Sequence, residues 1–379
     1  MPVQSCRVCG REFFREPLLH FANMPKAAQN FPDAGTLAGD RGVDLTVCQC
    51  SGCGLVQLAG DPVPYYREVI RASAVSPELK ESKTAQFRRF VEKYDLRGKA
   101  VLEIGCGRGD FLSLLAALGE VRACGLEYAE ASVARCLQDG LAVTRGYVEH
   151  AGTVLAGAPF DAFLLLMFLE HLPDPNAALQ GIARNLKDGA VGLVEVPSFD
   201  MVLRNNLFSE FIGDHLFYFT RETLQTTLNL NGFEILEFSE LRNDYVLSAV
   251  VKKRASLDLS RFRDTQAAIR AGLAACVARF GAKRVAVWGA GHQALAILAL
   301  MELAGGIRYV VDGAPFKQNK FTPATHLPIV APDTLRTDPV DAVIVIAGSY
   351  SDEVAGILRA KFDPRLSVFI LRESGLETV

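Results

Sequence analysis

Val101-Leu102-Glu103-Ile104-Gly105-Cys106-Gly107-Arg108-Gly109-Asp110-Phe111-Leu112 is an apolar run broken by three closely spaced glycines. The apolar half predicts a buried strand, the glycines a tight turn, and Phe111 onward a helix. Such a turn lets backbone come close to a ligand at the carboxyl edge of a sheet, beside a helix amino end. Glu103 lies inside the strand. Glu127, 22 residues after Gly105, ends the next one, where a carboxylate can take two ribose hydroxyls. Dinucleotide folds prefer G-x-G-x-x-G, whereas this turn reads G-x-G-x-G.

Downstream, strand and helix patterns alternate through Phe111–Leu118, Arg122–Leu126, Ala129–Asp139, Phe160–Met167, Asn176–Leu186 and Val191–Val196. That alternation predicts a parallel, doubly wound α/β sheet. Upstream, Pro77–Tyr94 reads as an amphipathic helix. An aromatic stretch, Phe208–Phe219, precedes a helix and a last strand pair, and residues 256–280 read as a linking helix. A second alternation then starts at Arg284–Trp288, where Gly289-Ala290-Gly291 again follows a strand, and Val310-Val311-Asp312 ends the next one. Read alone, this second turn suggests a nucleotide site such as one for NAD, but its third glycine is absent.

The chain has 379 residues, enough for two or three domains, with 50% hydrophobic and 22% charged residues. A net charge of −3 argues against a nucleic-acid or anionic-membrane partner. No apolar run reaches the roughly 18–20 residues of a membrane span. Met1 to Cys6 carries no basic, apolar leader pattern, so a cytoplasmic protein is expected. Monomer and homodimer both stay open.

Five of the nine cysteines fall in the first 53 residues. Cys6-Arg7-Val8-Cys9 and Cys50-Ser51-Gly52-Cys53 are two C-x2-C pairs, each followed by a glycine. Two such turns can offer four thiolates to one tetrahedral ion, and four cysteines leave no open position, so the predicted zinc is structural. Cys48 is left over.

These motifs carry a resemblance. The E-x-G-C-G-x-G turn resembles motif I of class I S-adenosylmethionine (SAM) methyltransferases, and Glu170-His171-Leu172-Pro173-Asp174-Pro175 resembles the loop after their fourth strand. In order come the cysteine pairs, the SAM core, Asp214-His215-Leu216-Phe217-Tyr218-Phe219, and the run from Asp312 to Pro328 with Lys317-Gln318-Asn319, Thr322-Pro323 and His326. That order is similar to the zinc-containing deoxysugar C-methyltransferases, which methylate C3 of nucleotide-linked 4-keto-6-deoxy sugars. The resemblance implies a small zinc-binding domain (1–80), a Rossmann-like class I SAM methyltransferase domain (81–255) and a second Rossmann-like, substrate-binding domain (256–379). It implies SAM on Glu103, Gly105, Gly107, Gly109, Phe111 and Glu127, with zinc on Cys6, Cys9, Cys50 and Cys53. His215 is the expected general base, Asp214 its substrate-orienting or charge-tuning neighbour, and His171 a third catalytic candidate. Arg71, Ser76, Tyr218, Lys317, Asn319 and His326 are the expected substrate contacts.

The sequence departs from the family at two points. Where a Tyr–Ser–Ser run is usual, it reads Arg71 with serines in rough register, and the acid–histidine pair is Asp–His rather than Glu–His. Arg71 would favour an additional phosphate or carboxylate on the acceptor. Methylation of oxygen or nitrogen on a related nucleotide sugar is the alternative reaction.

Overall fold

The computed structural model describes residues 3–26, 28–29, 31–68 and 75–379. Arg71 lies outside them. The chain divides into two compact units, Met1–Ala255 and Ser256–Val379. Among the described residues no helix is long and apolar enough to cross a membrane.

The first unit opens with antiparallel strands β1 (Leu19–Met24), β2 (Val43–Gln49) and β3 (Val56–Leu58). Helix α1 (Pro77–Lys93) follows, with Pro77 at its first position and the Ser76 hydroxyl accepting from the Leu79 amide at 3.2 Å. The central sheet is then built from β4 (Ala100–Ile104), β5 (Arg122–Glu127), β6 (Val143–Arg145), β7 (Phe160–Leu166) and β8 (Leu186–Pro197). Between them lie α2 (Asp110–Ala117), α3 (Glu130–Gln138) and α4 (Pro175–Arg184). A two-residue strand, β9 (Phe217–Tyr218), precedes the final pair, β10 (Phe233–Leu241) and β11 (Val246–Lys253).

The sheet order is β10-β11-β8-β7-β4-β5-β6, with β11 antiparallel to β8 and β10 antiparallel to β11. Every strand but β11 therefore runs one way, as in the Rossmann-like class I SAM methyltransferase fold. Helices cover both faces, so β4 and β7 are buried on both sides and read as near-continuous apolar runs. Packing is tight where β8 crosses β7: a Cβ on Gly192 would lie 2.0 Å from the Phe163 ring. The chain winds outward from β4 through β5 and β6, then returns to β7 on the other side. That reversal opens a crevice beyond the carboxyl ends of β4 and β7.

β9 does not join this sheet. It pairs with β3, Val56 opposite Tyr218 and Gln57 opposite Phe217, completing a four-stranded amino-terminal sheet. The segment just before β9 is thereby pinned to residues some 160 positions earlier.

The second unit is another doubly wound sheet. Its strands are β12 (Val285–Trp288), β13 (Ile307–Val311), β14 (Lys320–Phe321), β15 (Pro328–Val330), β16 (Ala342–Val345), β17 (Ser367–Arg372) and β18 (Gly375–Thr378). They stand in the order β14-β15-β13-β12-β16-β17-β18, with β14 and β18 antiparallel edges. Apolar clusters fill both faces.

Candidate functional site

Gly105 turns the chain at the end of β4 with φ 67°, and a Cβ there would meet the Phe168 ring at 2.8 Å, so both conformation and space demand glycine. Gly107 also has a positive φ, 55°, yet its missing side chain faces open space, which leaves backbone exposed to a ligand. Gly109 precedes α2, and Phe111 is buried in that helix's first turn. Glu103 is buried on β4. Glu127, at the end of β5, accepts from the Gly107 amide at 2.8 Å and the Ala129 amide at 2.7 Å. Burial raises its pKa against the pull of those amides. Beside Glu127 lies an apolar recess lined by Leu126, Tyr147, Val148, Phe168, Leu172 and Ile182. Arg67 borders it, its guanidinium 5.4, 5.5 and 5.2 Å from the rings of Tyr66, Tyr128 and Tyr147.

The glycine turn opens into a cleft of about 890 Å³ that also takes in Glu170, His171, Glu195, Asp214 and His215. Glu170 and His171 sit on a single 3₁₀ turn after β7. That turn is cut short locally: the Asp174 side chain caps α4, accepting from Ala177, and Pro175 starts the helix. Asp214 and His215 arrive from the segment held by β9. The Tyr218 hydroxyl steadies that segment, accepting from the Ile212 amide at 3.0 Å, while its ring packs in the core with Phe199 and Phe211.

The two imidazoles lie 4.8 Å apart, edge to face. His171 Nδ1 is 2.7 Å from the Asp214 carbonyl oxygen. Since a carbonyl only accepts, Nδ1 carries the proton and Nε2 keeps its lone pair. Burial lowers the pKa of His171, and burial beside His171 pushes that of His215 down to about 3, so both rest neutral. No side-chain hydrogen bond among the described residues holds the His215 ring. The Asp214 carboxylate points elsewhere. It accepts from the Tyr65 hydroxyl at 3.0 and 2.9 Å and from the Ala28 amide at 3.0 Å. Burial, then the Asp214 carboxylate, push the Tyr65 pKa up to about 12.

Further along the cleft Lys83 of α1 forms a buried ion pair with Glu195 of β8. Gln86 donates to the same carboxylate at 2.7 Å and Ser248 at 3.2 Å.

The four predicted cysteine ligands come together. Their sulfurs lie within 4.8 Å of one another, with Cys6 to Cys53 at 3.6 Å and Cys9 to Cys50 at 3.3 Å. The amides of Val8 and Cys9 point at the Cys6 sulfur, and those of Gly52 and Cys53 at the Cys50 sulfur. Two matching turns that each aim amides at a sulfur suit thiolate ligands of one tetrahedral ion, so the residues fit a zinc site. Cys48 stays outside the cluster.

Ser76 and Tyr218 are not among the residues lining the cleft. Ser76 is exposed and caps α1, and Tyr218 is a core residue. In the second unit, Lys317 is bound to Asp312 at 3.0 Å, and Asn319 and His326 occupy left-handed positions of the same polar loop. Asp312 also accepts from the Ala290 amide at 2.8 Å, which ties the Gly289–Gly291 turn to the loop. Sequence reasoning did not single out Glu170, the Tyr65–Asp214 contact or the Lys83–Glu195 pair. For Glu170 a signal existed, a charged residue ending the apolar run from Phe163 to Leu169; the others depend on long-range contacts.

Residues 78–237 match a family described as a methyltransferase domain, and residues 252–370 one described as a C-methyltransferase C-terminal domain. The chain is similar to the C-methyltransferase NovU of Streptomyces niveus, with 24% identity over 93% of this chain and 91% of that protein. A ubiquinone biosynthesis O-methyltransferase of Stutzerimonas stutzeri (strain A1501) is 36% identical over 26% of this chain and 44% of its own length. The solved structure of a SAM-dependent methyltransferase from Clostridium acetobutylicum aligns with 46% of this chain and 92% of its own, at 12% identity and a TM-score of 0.39.

Proposed function

We propose that this chain, a class I SAM-dependent methyltransferase, methylates a carbon next to the ketone of a nucleotide-linked keto-deoxysugar, with His215 taking the α-proton. The observation that carries this reading is one cleft in which a glycine turn suited to SAM meets two neutral imidazoles. The match to a C-methyltransferase along nearly the whole chain supports carbon as the acceptor atom.

In this reading Glu127 takes the ribose hydroxyls, adenine occupies the apolar recess under Arg67, and the Gly105–Gly109 turn carries the rest of SAM, with Glu103 and Phe111 flanking it. His215 needs a lone pair at neutral pH, and burial keeps the ring neutral while also weakening it as a base until substrate is bound. His171, fixed by the Asp214 carbonyl, holds the neighbouring wall and keeps a second lone pair at hand. Because the Asp214 carboxylate binds Tyr65 and Ala28, it acts as a positioning residue that ties the amino-terminal region to the base. Arg71 and Ser76 remain proposed acceptor contacts, and Tyr218 supports the loop. Lys317, Asn319 and His326 are proposed to bind the nucleotide portion. Zinc on Cys6, Cys9, Cys50 and Cys53 would be structural, since four thiolates leave it no open position.

The test is incubation with SAM and a panel of TDP- and GDP-4-keto-6-deoxy sugars in deuterated water, followed by mass spectrometry and proton NMR. Deuterium beside the ketone together with a new carbon-bound methyl is expected, with both signals lost in His215→Ala. A methyl on oxygen or nitrogen without exchange would favour the alternative reaction and remove the base from the mechanism.

A further inference from the structure

We propose that Glu170 is a further catalytic residue, an O–H donor to the acceptor's carbonyl oxygen as negative charge collects there. This rests on the C-methylation reading. Taking a proton from an α-carbon moves charge onto the carbonyl oxygen, so a base alone is half a site; a donor aimed at that oxygen must stand beside it.

Glu170 meets the requirements of position. It is 1% exposed, it borders the cleft, and its Oε2 has no hydrogen-bond partner among the described residues. One side-chain donor or acceptor atom from each of Glu170, His171 and His215 falls within 4.8 Å of the others. The donor and the base therefore stand close enough to serve neighbouring atoms of one ketone.

Its surroundings favour the acid form. The titratable and charged groups that share its cleft are His171 on its own turn, Asp214 and His215 ahead of β9, Glu195 and Lys83 with Lys80 farther along, Glu103, Cys106, Arg108 and Asp110 about the glycine turn, and Arg242 and Tyr245 ahead of β11, with Glu210 beside Tyr245. His171 is its ion-pairing candidate, with Nε2 at 3.8 Å from Oε1, but that imidazole rests neutral. Lys83 is engaged by Glu195. A carboxylate buried without a charged partner is strongly disfavoured, and burial pushes Glu170 up to about 8. At neutral pH it keeps its proton and can donate, as a buried carboxylic acid does in other enolising enzymes.

The step balances. The α-C–H proton moves to a lone pair on His215, and its bonding electrons form the enolate C=C. The carbonyl π pair moves to oxygen, which accepts the Glu170 hydrogen bond. The C=C pair then attacks the SAM methyl, the C–S electrons stay on sulfur, and the carbonyl re-forms. Glu170 retains its proton throughout, and His215 returns its own to solvent.

The experiment follows methyl transfer and α-hydrogen/deuterium exchange from pH 6 to 9.5 in the wild type, Glu170→Gln and Glu170→Leu, with SAM affinity as the folding check. Wild-type rates should fall about tenfold per pH unit above about 8, as the donor ionises. Glu170→Gln keeps an N–H donor that does not titrate. It should retain activity within about tenfold at pH 7 and lose the alkaline fall, while Glu170→Leu loses ~10²–10³-fold in both signals. An unchanged alkaline limb in Glu170→Gln, or wild-type exchange in Glu170→Leu, overturns the proposal and leaves C-methylation standing. A dependence on divalent cation that Glu170→Gln abolishes also overturns it, making Glu170 a carboxylate ligand. Wild-type turnover without exchange overturns the C-methylation reading itself, and this proposal with it.

Discussion

Replacing Glu170 by glutamine should make the protein more stable than the wild type at alkaline pH, and the gap should widen as pH rises. A folded-state pKa of about 8 against 4.5 for the free group corresponds to roughly 5 kcal/mol at most, at ~1.36 kcal/mol per unit. The sign follows from proton binding. Between these two values the folded chain holds a proton that the unfolded chain has released, so stability is full below about 4.5 and is lost as pH climbs to about 8. Glutamine has no proton to lose. His171 and His215, with depressed values, act in the opposite direction below their ordinary range, and both are present in either protein, so they cancel in the difference. From pH 6 to pH 8 the variant should gain about 2–3 kcal/mol on the wild type, or roughly 4–12 °C in the melting temperature of a unit this size. Calorimetry across pH measures it. The single tryptophan, Trp288, lies in the second unit, so its fluorescence reports on that unit. Melting curves that stay parallel from pH 6 to 9 would refute the reasoning, because they would mean that Glu170 ionises in the folded protein as it does in water.

Glu127→Ala should weaken SAM binding at least tenfold by calorimetric titration, since it removes both the proposed ribose partner and the brace on Gly107. Cys53→Ser should lower bound zinc from one equivalent toward none by elemental analysis, and should destabilise the first unit, because the cysteine turns pack into the same core as the central sheet. Gly192→Ala should cost several kcal/mol in chemical denaturation, as a Cβ 2.0 Å from the Phe163 ring forces β7 and β8 apart. Tyr65→Phe should raise KM more than it lowers SAM affinity; equal changes in both would deny Tyr65 a role in steadying Asp214.

Much of the fold was legible in the sequence, for a physical reason. A strand buried on both faces must be apolar throughout, and a turn that admits a ligand must be glycine, so Ala100–Ile104 and the Gly105–Gly109 run declare themselves locally. The cysteine pairs do the same, because one tight turn sets each ligand spacing and the amides that support it. Short pieces were not legible: β6 spans three residues and β9 two, too few for any periodicity to show.

The sequence by itself determined the two α/β units, the glycine turn and the thiol cluster, since each is coded by neighbours along the chain. Tertiary structure alone decided which groups share the cleft. β9 pairs with β3 and so carries Asp214 and His215 to the turn that bears Glu170 and His171, 43 residues earlier in the chain. Whether a glutamate is charged or neutral depends on the partners that folding supplies or withholds, and no local pattern records that. Lys83 meets Glu195 across 112 residues, and Tyr65 meets Asp214 across 149. Those contacts are set by packing rather than spacing, and so is the burial that keeps both imidazoles neutral.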